Sequence, residues 1–174
     1  GADADAHVYQ PSAEDAKAVF AADLIIANGL GFEPWLARLI ASSEAPGTRI
    51  AASAGVLPLM LDEDGEKVPD PHAWHNLANA EIYVQNIAKA LSQADPKNAA
   101  HYNAGRDAYL AQIRSLLVEA RTGLGQLPPR QRNIVTSHDA FAYLGQAYGL
   151  NFIAPQGLST EDEPSAAEVA ALIR

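Results

Sequence analysis

The feature that most constrains this chain is the way short apolar runs alternate with helical stretches. Leu24-Ile25-Ile26-Ala27, Arg49 to Ser53, Asn133 to Ser137 and Phe152-Ile153-Ala154 are each too short for a helix, and helix-like segments separate them. Short apolar runs spaced this way read as strands buried on both faces, which is the pattern of an α/β fold with parallel sheets. The first helix is expected over Pro11 to Ala22, where Ser12 and Asp15 form a capping box with Asp in the place usually taken by Glu. A second is expected over Glu33 to Ala41, with Trp35, Leu36, Leu39 and Ile40 on one face.

Asn76 to Ala94 reads as a helix with Ile82, Ile87, Ala90 and Leu91 on a stripe. Asp95-Pro96 breaks it, and Pro96 then opens a long helix to about Thr122 whose apolar face is Tyr102, Tyr109, Ile113, Leu116 and Leu117. Gly123-Leu124-Gly125 and Pro128-Pro129 stop that helix. A further helix is expected over Ala140 to Tyr148, ended by Gly149, and a last one from Ser165, with Glu168 completing a capping box, to Arg174. The charged stretch Asp62 to Lys67 reads as an exposed loop.

Composition narrows the chemistry. With 174 residues, 48% of them hydrophobic, the chain can bury a core. Its net charge of −9 disfavours nucleic acid and anionic membranes and weakly favours cations. The absence of cysteine removes disulfides, thiolate metal sites and cysteine nucleophiles together, so any metal must sit on His, Asp or Glu. No apolar run is long enough to span a membrane, and Gly1 to Asp5 has neither a basic start nor an apolar core, as expected of a mature exported chain without its signal peptide.

Five histidines remain as candidates. His7 stands just before a capped helix start, His72 follows Asp70-Pro71 at a helix entry, and His138 lies between the strand ending at Ser137 and the helix after Asp139. Ligands of parallel α/β sheets collect beyond the carboxyl ends of strands, so three such corners can converge. Neutral imidazole is a common zinc ligand. The intervals, 65 and 66 residues, exclude a local zinc motif and require a tertiary site. His75, three residues after His72, can share its helical face, but the plainer reading is a side chain turned to solvent; His101 reads as an ordinary helix residue. Trp74 and Phe141 are candidates to shield the site. Asp70 and Asp139 are candidates to orient the imidazole rings.

These residues also carry a family resemblance. Ala6-His7-Val8-Tyr9-Gln10-Pro11-Ser12, Ala22 to Gly29 followed by Phe32-Glu33, Asp70-Pro71-His72-Ala73-Trp74, Thr136 to Phe141 with Tyr148-Gly149-Leu150, and Gly157 to Ser165 resemble, in order, five elements of the metal-binding proteins of bacterial zinc and manganese ABC importers. The resemblance implies two α/β lobes with parallel sheets, joined by one long rigid linking helix, with the metal in the cleft between them. The divisions are then 1–95 for an N-terminal lobe lacking its first strand and helix, 96–124 for the linking helix and 125–174 for part of a C-terminal lobe. It implies a binding protein, not an enzyme, that captures extracytoplasmic Zn2+ on His7, His72 and His138 and passes it to a membrane permease. A periplasmic metallochaperone is a further candidate partner.

Zinc is favoured over manganese because manganese members of that family often carry Glu for the third His. The family's fourth ligand, an Asp, is expected beyond Arg174, and the short acidic stretch at 62–69 stands where many zinc members have a His-rich loop. Binding to neutral imidazole implies affinity that falls below roughly pH 6. Two rivals remain: a zinc hydrolase using three His and an open position, with Glu161 or Glu163 as base, and an adhesin-type or manganese-binding member of the same family.

Overall fold

The computed structural model describes residues 5–63 and 65–155. The helix expected from Ser165 and the element Gly157 to Ser165 lie outside them.

Two parallel strand pairs frame the chain. β1 (Leu24–Ala27) pairs with β2 (Thr48–Ala51), with Leu24 opposite Thr48 and Ala27 opposite Ala51. Helix α1 (Ala13–Ala21) precedes this pair and α2 (Leu36–Ser42) connects it. The sequence-expected capping box is present: Ser12 Oγ accepts the Asp15 N–H, and the Asp15 carboxylate accepts the Ser12 N–H. Ile25, Ile40 and Ala45 form a small core between these elements, closed by Val19, Ala22 and Leu36.

α2 starts at Leu36, not Glu33. Glu33 precedes Pro34, which disfavours helical backbone before it. Its carboxylate instead turns back to accept the N–H groups of Asn28 (2.7 Å) and Gly29 (3.4 Å). Those contacts hold the loop after β1, where Gly29, Leu30 and Gly31 all have positive φ (87°, 56° and 84°). Gly29 is required there on two counts, since an added Cβ would also meet Ser53 Oγ.

Residues 60–69 correct the loop expected over Asp62 to Lys67. β3 (Met60–Glu63) and β4 (Glu66–Pro69) form an antiparallel hairpin, with Leu61 opposite Val68 and Asp62 opposite Lys67. The turn contains Gly65 at φ 85°, whose N–H reaches Asp62 Oδ1. Each strand has its two apolar residues side by side and its two charged ones next to the turn, which gives no apolar alternation to read.

Beyond the hairpin, a 3-10 turn (Ala73–His75) leads into α3 (Leu77–Ala94). A second 3-10 turn at Pro96–Asn98 precedes α4 (Ala99–Gly125), a helix of 27 residues, about 40 Å long at 1.5 Å per residue. α4 packs along α3 through Leu110 and Ile113, which are buried. The face expected from the sequence is rotated: Tyr109 is 55% exposed and Leu116 50% exposed. α4 carries apolar side chains on its exposed side as well as its packed one, so apolar periodicity alone does not select the buried stripe.

The second parallel pair is β5 (Asn133–Val135) with β6 (Asn151–Ile153), connected by α5 (Ala142–Tyr148). Gly149 ends α5 at φ 67°, the left-handed cap expected of it. The main core gathers residues from beyond β2, the 3-10 turn, α3 and α5: Ala52, Val56, Ala73, Tyr83 and Tyr143, with Leu30, Leu59, Trp74, Ile82 and Ile87 packed around them. It sits directly beneath the His72 turn, because Ala73 belongs to it. No helix among the described residues is long and apolar enough to cross a membrane.

Candidate metal centre

His72 occupies the most determined position of the site. It caps the 3-10 turn that follows β4, and it is 2% exposed. Asp70, wholly buried, accepts both the His72 backbone N–H (2.9 Å) and a hydrogen bond at Nδ1 (2.8 Å). A carboxylate there fixes the proton on Nδ1 and leaves the Nε2 lone pair facing outward. Asp70 is itself held from behind. Its N–H donates to the Leu59 carbonyl, and its own carbonyl accepts the Tyr143 hydroxyl. The Asn28 side-chain amide donates to the Pro71 carbonyl, joining the loop after β1 to this turn.

His7 lies in the segment before α1. Its N–H donates to Asp5 Oδ1 at 2.8 Å, and the Trp35 indole donates to the carbonyl of Ala6 at 2.7 Å. Tyr9 packs on Trp35, and its hydroxyl donates to the capping carboxylate of Asp15. The helix cap and the histidine approach are therefore one structure. Phe32, delivered by the strained loop after β1, meets the His7 ring edge-to-face at 4.7 Å.

His138 stands three residues beyond the end of β5, as the strand-end rule expects. The Thr136 hydroxyl donates to its carbonyl, which orients the turn and leaves the ring free to face the cleft. Burial first, and the neighbouring His72 second, push its ring below the ordinary histidine range, so the neutral form is favoured. Asp139 beside it is pushed up by burial, and secondarily by Asp70. It makes no hydrogen bond to a histidine ring among the described residues, whereas Asp70 does.

These elements bring the three imidazoles together. One nitrogen from each of His7, His72 and His138 lies within 4.8 Å of the other two. His7 Nε2 and His72 Nε2 are 3.2 Å apart. Two ligands at the zinc–nitrogen distance and the tetrahedral angle sit about 3.3 Å apart, so this pair already has the spacing a tetrahedral ion would need. The His72 and His138 rings are 5.4 Å apart, and those of His7 and His138 6.2 Å. A cleft of about 400 Å³ opens over them, walled by Phe32, Trp74 and Phe141 with Asp5 at one side.

His75 departs from its expected solvent-facing position. It is half-buried and lines the same cleft, with its ring 4.6 Å from that of Phe141 and 5.3 Å from Trp74. Successive side chains at i and i+3 eclipse in a 3-10 turn, which places it beside His72. Burial pushes its ring below the ordinary range as well. His101 is exposed on α4, away from the cleft. Sequence reasoning passed over Asp5, Phe32 and Trp35 as parts of the site. Only the closeness of Asp5 to His7 in sequence gave any signal.

A profile of the zinc-uptake complex component A (periplasmic) family matches residues 1–174. The chain is 38% identical over 147 residues to the iron-binding protein YfeA of Yersinia pestis, covering 84% of this chain and 47% of the relative. It is 34% identical over 176 residues to the manganese ABC transporter substrate-binding lipoprotein PsaA of Streptococcus mitis, covering 97% and 57%. Among solved structures, the periplasmic zinc binding protein TroA of Treponema pallidum superposes with a TM-score of 0.87 at 31% identity, covering 97% of this chain and 62% of that one. The chain thus spans roughly half to three fifths of the length of these relatives.

Proposed function

The chain belongs to the periplasmic zinc-uptake complex component A family, and on that premise we propose that His7, His72 and His138 hold one divalent ion, most favourably Zn2+, for delivery to an ABC permease outside the cytoplasm. The observation that carries this reading is the convergence of three imidazole nitrogens within 4.8 Å, across 131 residues of sequence, in one aromatic-walled cleft.

The donor set argues for zinc. Imidazole suits zinc, whereas carboxylate, carbonyl and water suit manganese. All three converging ligands are imidazoles, and one of them has its metal-facing lone pair fixed by a buried carboxylate. Of the nearby carboxylates, Asp70 accepts the backbone and ring N–H groups of His72, and Asp5 accepts the His7 N–H at the cleft wall. The relatives are named for iron, manganese and zinc, so the choice of ion rests on this chain's own donors. The role is carriage and not catalysis; the family is one of uptake components.

We propose further that residues 1–95 form one lobe, 96–124 a linking helix and 125–174 part of a second lobe, with the ion closing the cleft between His72 and His138. The position of α4 between the two parallel strand pairs supports this division. The test is a competition titration at neutral pH. Zinc should outcompete manganese by at least about 100-fold, or roughly 2.7 kcal/mol. Equal affinity, or preference for manganese, would overturn the assignment of zinc.

A further inference from the structure

We propose that Tyr143 is a positioning residue for metal binding: its buried hydroxyl clasps the turn carrying His72 to the helix that follows His138, and so sets the separation of the two ligands. The proposal rests on the three-histidine reading above.

The clasp is a closed arrangement of three partners. Tyr143 is 2% exposed, and its ring belongs to the main core with Ala52, Val56, Ala73 and Tyr83. Its hydroxyl accepts the Leu59 N–H at 3.0 Å and donates to the Asp70 carbonyl at 3.0 Å. Leu59 and Asp70 are joined to each other in turn, since the Asp70 N–H donates to the Leu59 carbonyl at 2.8 Å. One hydroxyl thus holds both sides of the base of the β3–β4 hairpin, at sequence separations of 84 and 73 residues.

Each end of the clasp leads directly to a ligand. On one side, Asp70 grips the ring and backbone of His72 through Oδ1. On the other, Tyr143 sits in α5, five residues beyond His138. A shift of α5 relative to the hairpin base would move His138 relative to His72 while leaving each turn internally intact. Both groups that the hydroxyl satisfies are backbone groups at the base of the hairpin. Phe at this position keeps the packed ring and removes only the oxygen, which separates the clasp from the core.

The experiment is a double-variant cycle read by zinc titration of the full chain. Tyr143→Phe should weaken zinc binding about tenfold in the otherwise native protein, and less than about twofold in the His138→Ala background, where no His138–His72 separation remains to be set. The same factor in both backgrounds, or no change in either, overturns the proposal. Hydrogen exchange of the metal-free protein gives a readout independent of zinc. The Leu59 amide should exchange faster in Tyr143→Phe while the amides of α3 keep their protection. Uniform acceleration throughout marks general destabilisation and also overturns it. Should the native chain bind no zinc, the three-histidine reading fails, and the exchange result alone decides the clasp.

Discussion

The turn that carries His72 and the turn that carries His138 reach the same cleft by different constructions. His72 is 2% exposed and held at ring and backbone by a fully buried Asp70. His138 is half-buried; its turn is held through the carbonyl, which accepts from Thr136 and Ala140, and, at one remove, by the Tyr143 hydroxyl on the helix that follows. Its ring is placed by contact with the other two imidazoles. One ligand is therefore preorganised and loses little freedom when an ion binds. The other can adjust.

The comparison is sharpest for His72→Ala. It removes a ligand and also deprives a fully buried carboxylate of its ring partner. Zinc affinity should fall at least about 1000-fold, or about 4 kcal/mol. Unfolding free energy should fall by about 3 kcal/mol, as measured by denaturant titration of the metal-free protein. His138→Ala should leave metal-free stability within about 0.5 kcal/mol of the native value. Equal destabilisation by the two variants would break the contrast.

A smaller effect is expected from Asp70→Asn, which keeps an acceptor near His72 Nδ1 but removes its charge. Zinc affinity should drop about tenfold, the lower end for partners that orient a ligand, with the count of bound ions unchanged. An Asp70→Asn protein that binds zinc as tightly as the native one would show that the ring needs no such support.

The mildest effect concerns pH. The His138 and His75 rings are both held below the ordinary histidine range, chiefly by burial. Below about pH 6.5 the unfolded chain takes up protons at these positions before the folded chain does. Metal-free stability should therefore decline as pH falls through that window, and His138→Ala should make the decline shallower. A slope in urea unfolding between about pH 7 and pH 5.5 that His138→Ala leaves unchanged would place the His138 ring in a water-like setting.

Much of this was legible in the residues themselves. The four apolar runs, the Ser12–Asp15 box and the Gly149 stop are local signals, and each appears where expected. Asp-Pro-His puts a carboxylate two residues from a ring, so the hydrogen bond between Asp70 and His72 could be read from the sequence. The hairpin at 60–69 could not, because each strand places its two apolar residues consecutively and its charged ones beside the turn, without apolar alternation. Phe32 and Trp35 also escaped: a loop with three positive φ values and a carboxylate turned back onto it redirects both side chains toward His7. The Tyr143 clasp spans more than 70 residues and makes its bonds to backbone, which leaves no trace in residue type or period.

The central claim is that one ion is held jointly by the rigid and the adjustable corner. Calorimetric titration of zinc at neutral pH, into the native chain and into His138→Ala, tests it most directly. The account predicts one ion per chain, with affinity reduced at least about tenfold, or about 1.4 kcal/mol, in the variant. Weak binding by the native chain, or binding indifferent to His138, would contradict it.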